Sequence, residues 1–272
     1  MRQSTTSRQP RLSHLTKGSR IRFARLFYAA GRKVVRASVD LVYPPQCVFC
    51  ARPLERSVDI ALCEECRNHL APAGVVQCQR CAATINPMEL GDDCVRCRNE
   101  RYRFNRVLAL SRYSGTLRDA VLQMKRSHAE PLMMAMGRLL AERFGDELRL
   151  LQHDVALPIP MHWTRRIVRG TNSPELIGQI VARELGIVFA PSSLRRKRRT
   201  QKLAELTRQQ RKRTLRDAFA VGRGCDFTGA RVLLIDDVLT TGTTCDTAAR
   251  ALRQAGAVEI NVLVAARAYQ DD

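Results

Sequence analysis

The chain has 272 residues, 45% of them hydrophobic, and carries a formal charge of +20 from 46 basic and 26 acidic side chains. No window approaches the roughly 18 uninterrupted apolar residues that a helical membrane span requires, so the sequence reads as soluble, with length for one large and one small domain. Two segments hold 19 of the 20 net charges: residues 1–40 carry ten Lys/Arg against Asp40, and residues 195–216 carry eleven against Glu205. The rest is close to neutral, so any polyanion partner belongs to those two segments.

The first 40 residues are rich in Arg and Ser, and their short apolar patch, Phe23 to Ala30, is interrupted by Arg25. That pattern lacks the apolar core of 7–15 residues and the small-residue cleavage site of a secretory signal. It predicts a basic cytoplasmic arm, flexible or forming an amphipathic helix over 18–38.

Eight of the ten cysteines then fall into four CxxC pairs: Cys47/Cys50, Cys63/Cys66, Cys78/Cys81 and Cys94/Cys97. Twelve residues separate the first pair from the second, and twelve separate the third from the fourth. The frame starting at Cys47 is thus repeated 31 residues later at Cys78. A CxxC turn offers two thiolates at one vertex, and two turns complete a closed tetrahedral zinc site. The segment is poor in large apolar side chains, so metal would supply its folding energy. Disulfides would need an oxidising compartment, against which the missing signal argues. Two structural zinc ions are expected, with sequential pairing the simplest arrangement and a short hairpin within each frame. Cys225 reads as a loop residue, and Cys245 as a small packing residue.

From residue 104 onward apolar strands alternate with helical periodicity. Strands are predicted at 106–113, 154–160, 231–236 and 259–268, and helices over 116–149, 174–186 and 244–256. This alternation predicts an α/β fold with a mostly parallel, doubly wound sheet. Ligands of such sheets lie at the carboxyl ends of strands, where Asp236 and Asp237 end the run RVLLIDD. The turn that follows, Thr240, Thr241, Gly242, Thr243 and Thr244, leads straight into a helix. Its amides, hydroxyls and dipole suit an anion, and glycine permits close approach. The carboxylates are poor phosphate ligands but good acceptors for sugar hydroxyls. A phosphate beside a diol suggests ribose 5-phosphate. A Walker A loop is excluded, because the turn contains no lysine.

LLIDDVLTTGTT resembles the phosphoribosyl-pyrophosphate (PRPP) motif of type I phosphoribosyltransferases. With four CxxC knuckles ahead of it, the chain resembles the ComF/ComFC/GntX family over about 43–268. The matching stretches include Lys125, PIPMHWTRRIVRGTN at 158–172 and TQKLAELTRQQRKRTLRDAF at 200–219. The resemblance implies a type I phosphoribosyltransferase-like parallel sheet over 101–272, preceded by a small Cys-rich double zinc ribbon over 41–100. It implies that Asp236 and Asp237 take the ribose hydroxyls at the catalytic centre, and that Thr240, Thr241, Gly242, Thr243 and Thr244 take the 5-phosphate. Mg²⁺ would ride on the pyrophosphate of PRPP, near Arg169, with Lys125 a further phosphate contact. Residues 195–213 would form a mobile basic loop over the site.

The chain departs from the family on the pyrophosphate and acceptor side, not on the ribose-phosphate side. Arg169-Gly170 continues as Thr171-Asn172-Ser173-Pro174 in place of Phe-Asn-Gln, and Thr214 stands where Asn is common. PRPP binding is therefore better supported than transfer, and a phosphoribosyltransferase with an unknown acceptor stands as the alternative, beside a PRPP-binding sensor or scaffold. The resemblance also implies a role in natural competence, assisting uptake of single-stranded DNA with the competence machinery. Arg195, Arg196, Lys197, Arg198, Arg199, Arg211, Lys212 and Arg213 are the candidate nucleic-acid contacts. Trp163, beside Arg165 and Arg166, is a packing residue or a base-stacking one, and His128 and His162 read as surface or capping residues.

Overall fold

A computed structural model describes residues 44–54, 58–86, 94–161, 172–196 and 218–269. The chain divides into two compact units, residues 1–45 and 46–272. The arm at 1–40, with its expected helix, lies outside the described residues.

The larger unit begins with the cysteine repeat, and the repeat holds at the level of the backbone. In each copy the first knuckle is closed by paired backbone bonds: Ala51 N–H donates to Cys47 O and Cys47 N–H to Arg52 O, both at 2.8 Å. Their counterparts 31 residues on are Ala82 to Cys78 O at 2.8 Å and Cys78 to Ala83 O at 2.9 Å. Isolated bridges join Gln46 to Pro53 and Gln77 to Thr84. Among the described residues the strand pairing spans the knuckle itself. In the first copy the second knuckle opens helix α1, Glu64–Leu70.

Ala51 and Ala82 close these turns with φ of 60° and 53°. This left-handed conformation costs an alanine roughly 1–2 kcal/mol. Ala51→Gly is expected to stabilise the zinc-loaded protein by about 0.5–1 kcal/mol, after the added chain entropy is subtracted. A higher urea midpoint at unchanged slope is the readout; a lower midpoint would refute it.

The α/β body follows as β1 (Arg106–Arg112), α2 (Gly115–Gln123), α3 (Glu130–Leu150), β2 (Val155–Pro158), α4 (Ser173–Leu185) and β3 (Val188–Phe189). Then come β4 (Leu194–Arg196), β5 (Phe219–Val221), β6 (Arg231–Leu239), α5 (Thr243–Gln254) and β7 (Glu259–Arg267). Five strands form one sheet in the order β1-β7-β6-β2-β3, and every pairing in it is parallel. The near-continuous apolar runs follow from this, since a parallel sheet is covered on both faces. Alternate residues of β6 serve the two sides: Leu233 and Ile235 join the α2–α3–α4 core, while Val232 and Leu234 join the core over α5.

Two sequence expectations for this body need amendment, and three short strands went unforeseen. The periodicity over 116–149 belongs to two helices, not one. Pro131 has no amide hydrogen to donate within a helix, so it sits in the first turn of α3, and the chain between α2 and α3 is free to turn. Strand β6 runs on to Leu239, because its pairing with β7 continues through Val238–Ala266 and Leu239–Arg267. The short strands β3, β4 and β5 were too brief to show a period.

His153 lies buried where α3 gives way to β2. Its Nδ1 donates to Leu148 O at 3.3 Å, and its Nε2 accepts from the Asn261 amide at 3.0 Å. Both bonds suit a neutral ring, and burial lowers the His153 pKa below the ordinary 6.5. The unfolded imidazole therefore takes up a proton that the folded one refuses. Stability is full above pH 6.5 and falls on acidification by up to about 1.4 kcal/mol per pH unit. Urea titrations at pH 7.5 and 5.5 should show this loss, and His153→Gln should flatten it; an equal slope in the variant would refute the assignment.

Candidate functional site

Asp236 and Asp237 are neighbours in β6, and although successive strand side chains start toward opposite faces, their carboxyls stay close enough to interact. Asp236 turns toward α5, where Cys245 Sγ lies 3.9 Å from Oδ2, and its Oδ1 accepts the Asp237 amide at 2.9 Å. The Oδ2 of Asp237 lies 3.7 Å from Lys125 Nζ, whose charge also reaches Asp236. Asp236 is only partly buried, with protein crowding its carboxyl from the Cys245 side. Burial first, and the Asp237 charge second, push its pKa well above the carboxylate range, against the lowering pull of the Asp237 amide and Lys125. The site thus holds an acid pair short of positive charge. Cys245 is 1% exposed, and burial together with the Asp236 charge raises its thiol pKa well above normal. That is the packing role read from the sequence.

Lys125 reaches Asp237 because the chain breaks between α2 and α3. Met124 and Lys125 close α2, and the Met124 carbonyl accepts the buried Ser173 hydroxyl at 3.4 Å, tying this break to the start of α4. Asn172 beside it is buried, with its amide 3.5 Å from Ile159 O. His128 is exposed, with φ of 60°, in the same connection.

After β6, the turn reverses at Gly242, whose φ is +74°, and Thr243 opens α5. A Cβ on Gly242 would meet the Tyr102 ring at 3.0 Å, so both the dihedral and the space demand glycine. Tyr102 stacks on Phe104, with centroids 4.5 Å apart, and its hydroxyl lies 3.5 Å from Thr241 O. Thr240 is exposed, and Thr241 and Thr244 are partly so. Thr243 is buried, its hydroxyl 2.8 Å from that of Thr241. The first-turn amides of a helix have no intrahelical partner, and the dipole adds positive potential there.

Sequence reasoning missed Arg267. This last residue of β7 is 5% exposed. Its Nε donates to Cys81 O at 2.7 Å, and one terminal nitrogen donates to Leu239 O at 2.9 Å and also to Thr240 O and Ala268 O. Its only sequence signal is a charge at the end of an apolar strand.

The eight paired cysteines form two groups, Cys47/Cys50/Cys63/Cys66 and Cys78/Cys81/Cys94/Cys97, with all four sulfurs of each within 4.8 Å of one another. The knuckles pair sequentially. All ten cysteines are free thiols. The separations of 3.7 Å for Cys50–Cys63, 3.7 Å for Cys78–Cys97 and 3.6 Å for Cys81–Cys94 match the edge of about 3.8 Å that a Zn–S bond near 2.3 Å gives a tetrahedron. Within the first group burial would raise Cys47, but the amides of Cys50, Cys63 and Phe49 hold it down at about 7. Cys66 is pushed up by burial and by its neighbouring sulfurs. Cys81 is likewise raised to about 12 by burial, then by the charges of Cys78 and Cys94. Clustered sulfurs that resist joint ionisation are what a bound dication relieves, and the residues fit zinc.

On the basic side, Arg195 and Arg196 lie in β4, which pairs antiparallel with β5 through Leu194–Val221, Arg195–Ala220 and Arg196–Phe219. Arg195 is exposed, and Arg196 stacks over Phe219 at 5.7 Å. Lys197, Arg198, Arg199, Arg211, Lys212 and Arg213 lie outside the described residues, as do Thr214, Arg169 and the stretch containing His162, Trp163, Arg165 and Arg166.

Family comparison agrees with this geometry. Residues 38–98 match the family described as double zinc ribbon domain, and residues 175–272 match the phosphoribosyl transferase domain. The class is therefore a double zinc ribbon joined to a type I phosphoribosyltransferase domain. Among relatives, a protein of Salmonella typhi named "DNA utilization protein YhgH" is 28% identical over 229 residues, spanning 82% of this chain and 96% of its own length. "Competence protein F" of Haemophilus influenzae is 26% identical over 228 residues, spanning 82% and 97%. The resemblance to the ComF family is borne out. Among solved structures, the glutamine PRPP amidotransferase of B. subtilis is 22% identical with a TM-score of 0.36, over 50% of this chain but only 26% of that one. The purine phosphoribosyltransferase of Pyrococcus horikoshii is 15% identical with a TM-score of 0.33, over 50% and 81%.

Proposed function

We propose that the chain binds PRPP, or another ligand carrying ribose 5-phosphate, and serves the uptake and processing of single-stranded DNA in natural competence from the cytoplasm. One observation carries the ligand: an acid pair in the C-terminal half of β6 lies shortly ahead of a Gly242 turn that opens a helix, with Lys125 beside Asp237. In this reading the ribose hydroxyls donate to Asp236 and Asp237. The phosphate takes the amides of 241–244 and the hydroxyls of Thr240, Thr241 and Thr244, while Thr243 contributes its amide. Mg²⁺ arriving on the pyrophosphate would supply the positive charge that the raised Asp236 pKa says is lacking, and Lys125 and Arg169 would face the pyrophosphate.

The DNA role rests on the names of the relatives and on the charge of the two basic segments. Functional labour would divide as a basic arm over 1–40, a zinc-bound ribbon over 41–100 and a ligand domain over 101–272. No helix among the described residues is long and apolar enough to cross a membrane. Binding without turnover is the preferred form, because the departures at Thr171 and Thr214 lie on the pyrophosphate side.

The test is calorimetric titration of the zinc-loaded protein with PRPP and Mg²⁺, with Asp236→Ala/Asp237→Ala as control. Micromolar binding lost in the control supports the reading. No binding at millimolar ligand would sink it, and pyrophosphate release with a nucleobase would favour transfer instead.

A further inference from the structure

The two sulfur clusters are built alike but face different parts of the body. The first belongs to the core over α2 and α3, where Cys47, Cys63, Cys66 and Leu70 pack with Leu117, Leu132 and Met136. Arg67 pairs with Glu142 of α3, and Arg138 of α3 donates to Asp59 O at 2.5 Å. The second cluster faces the turn between β6 and α5, and two separate bridges join them.

One bridge is Arg267. Its guanidinium holds the Cys81 carbonyl on one side and the Leu239 and Thr240 carbonyls on the other. Tyr269 packs against the same cluster and lies under Arg96, Arg112 and Arg267, with Arg267 5.7 Å from its ring centre. The second bridge is Tyr102, which packs on the cluster, lies 6.0 Å beneath Arg80 of the CQRC knuckle and limits the space at Gly242. A buried guanidinium whose donors are divided between two backbone segments fixes their separation, because releasing either segment leaves a buried charge short of acceptors.

We infer that Arg267 is a positioning residue through which the second four-cysteine site holds the Thr240–Thr244 turn in its anion-ready shape. The two zinc sites then have separate duties. The first fastens the ribbon to the helical face. The second sets the geometry of the ligand turn, so its metal occupancy and the turn's order are linked. Reciprocity requires that an anion bound in the turn also protect the second site against metal loss.

For the ligand this rests on the function proposed above, but the link itself can be read without ligand. Amide exchange over residues 240–247 should be compared in the zinc-loaded full chain, Arg267→Met, Cys97→Ser and Cys66→Ser. Arg267→Met is expected to keep two zinc ions and to exchange at least tenfold faster in this stretch. Cys97→Ser should give the same acceleration with one zinc, and Cys66→Ser should leave the stretch unchanged. Arg267→Lys, which keeps the charge with fewer directed donors, should fall between wild type and Arg267→Met. This gives an answer even if a cysteine variant fails to fold. Unchanged exchange in Arg267→Met, or equal acceleration from Cys66→Ser, overturns the inference. PRPP affinity should fall at least tenfold in Arg267→Met. Failure of the wild type to bind PRPP would sink the ligand reading, while exchange would still decide the link.

Discussion

Gly242→Val is expected to weaken PRPP binding more than 100-fold while both sulfur clusters keep their metal. Valine at φ of +74° is strained by roughly 1–2 kcal/mol, and its Cβ would press on the Tyr102 ring at 3.0 Å. The turn must shift, and amides aimed at a phosphate lose their line. Two charge-assisted bonds lost at about 1.5–3 kcal/mol each amount to two or more decades of affinity. Calorimetry measures the affinity, and zinc stoichiometry with the melting temperature shows whether the fold survives. A valine variant that binds like wild type would mean the phosphate is held elsewhere. Gly242→Ala, with the strain but less bulk, should fall between the two.

Zinc removal should have the larger effect on stability. The ribbon residues bury few large side chains of their own, so the metal supplies most of their folding energy; structural zinc sites are worth roughly 10–16 kcal/mol in small peptides. Excess chelator with warming is expected to abolish protection of amides over 46–86 and to lower the melting temperature of the whole unit. Ile60, Leu62 and Leu70 are part of the core over α2 and α3, so the ribbon cannot unfold without exposing that core. Acid should act in the same direction by protonating the thiolates, and added zinc at neutral pH should reverse it. A ribbon that stays protected after both ions are removed would refute the metal's structural role.

Much of this was legible in the sequence, for identifiable reasons. The sheet was readable because its central strands are covered on both faces and so become uninterrupted apolar runs. The sulfur clusters were readable because a tetrahedral site fixes the spacing of its ligands. The acid pair and glycine turn were readable because strand-end chemistry repeats in sheets of this kind. What was not legible depends on three-dimensional adjacency. Nothing in the residues near Arg267 says that its partner is the carbonyl of Cys81, 186 positions away. Lys125 could be singled out, but its meeting with Asp237 depends on the Pro131 break, which the apolar period of 116–149 conceals. The pairs that close the first knuckles were hidden because two-residue bridges leave no periodicity.

The short β4–β5 ladder has one more consequence. The chain leaves the body at Arg196 and returns at Phe219, its direct partner in that ladder. Closure at the stem is therefore supplied by the buried Leu194 and Phe219. Doubling the length of a tethered segment costs only about 0.6 kcal/mol. Insertions or deletions in the intervening stretch therefore cost the parallel sheet little stability, and its length is set by the ligand it has to meet and not by the fold.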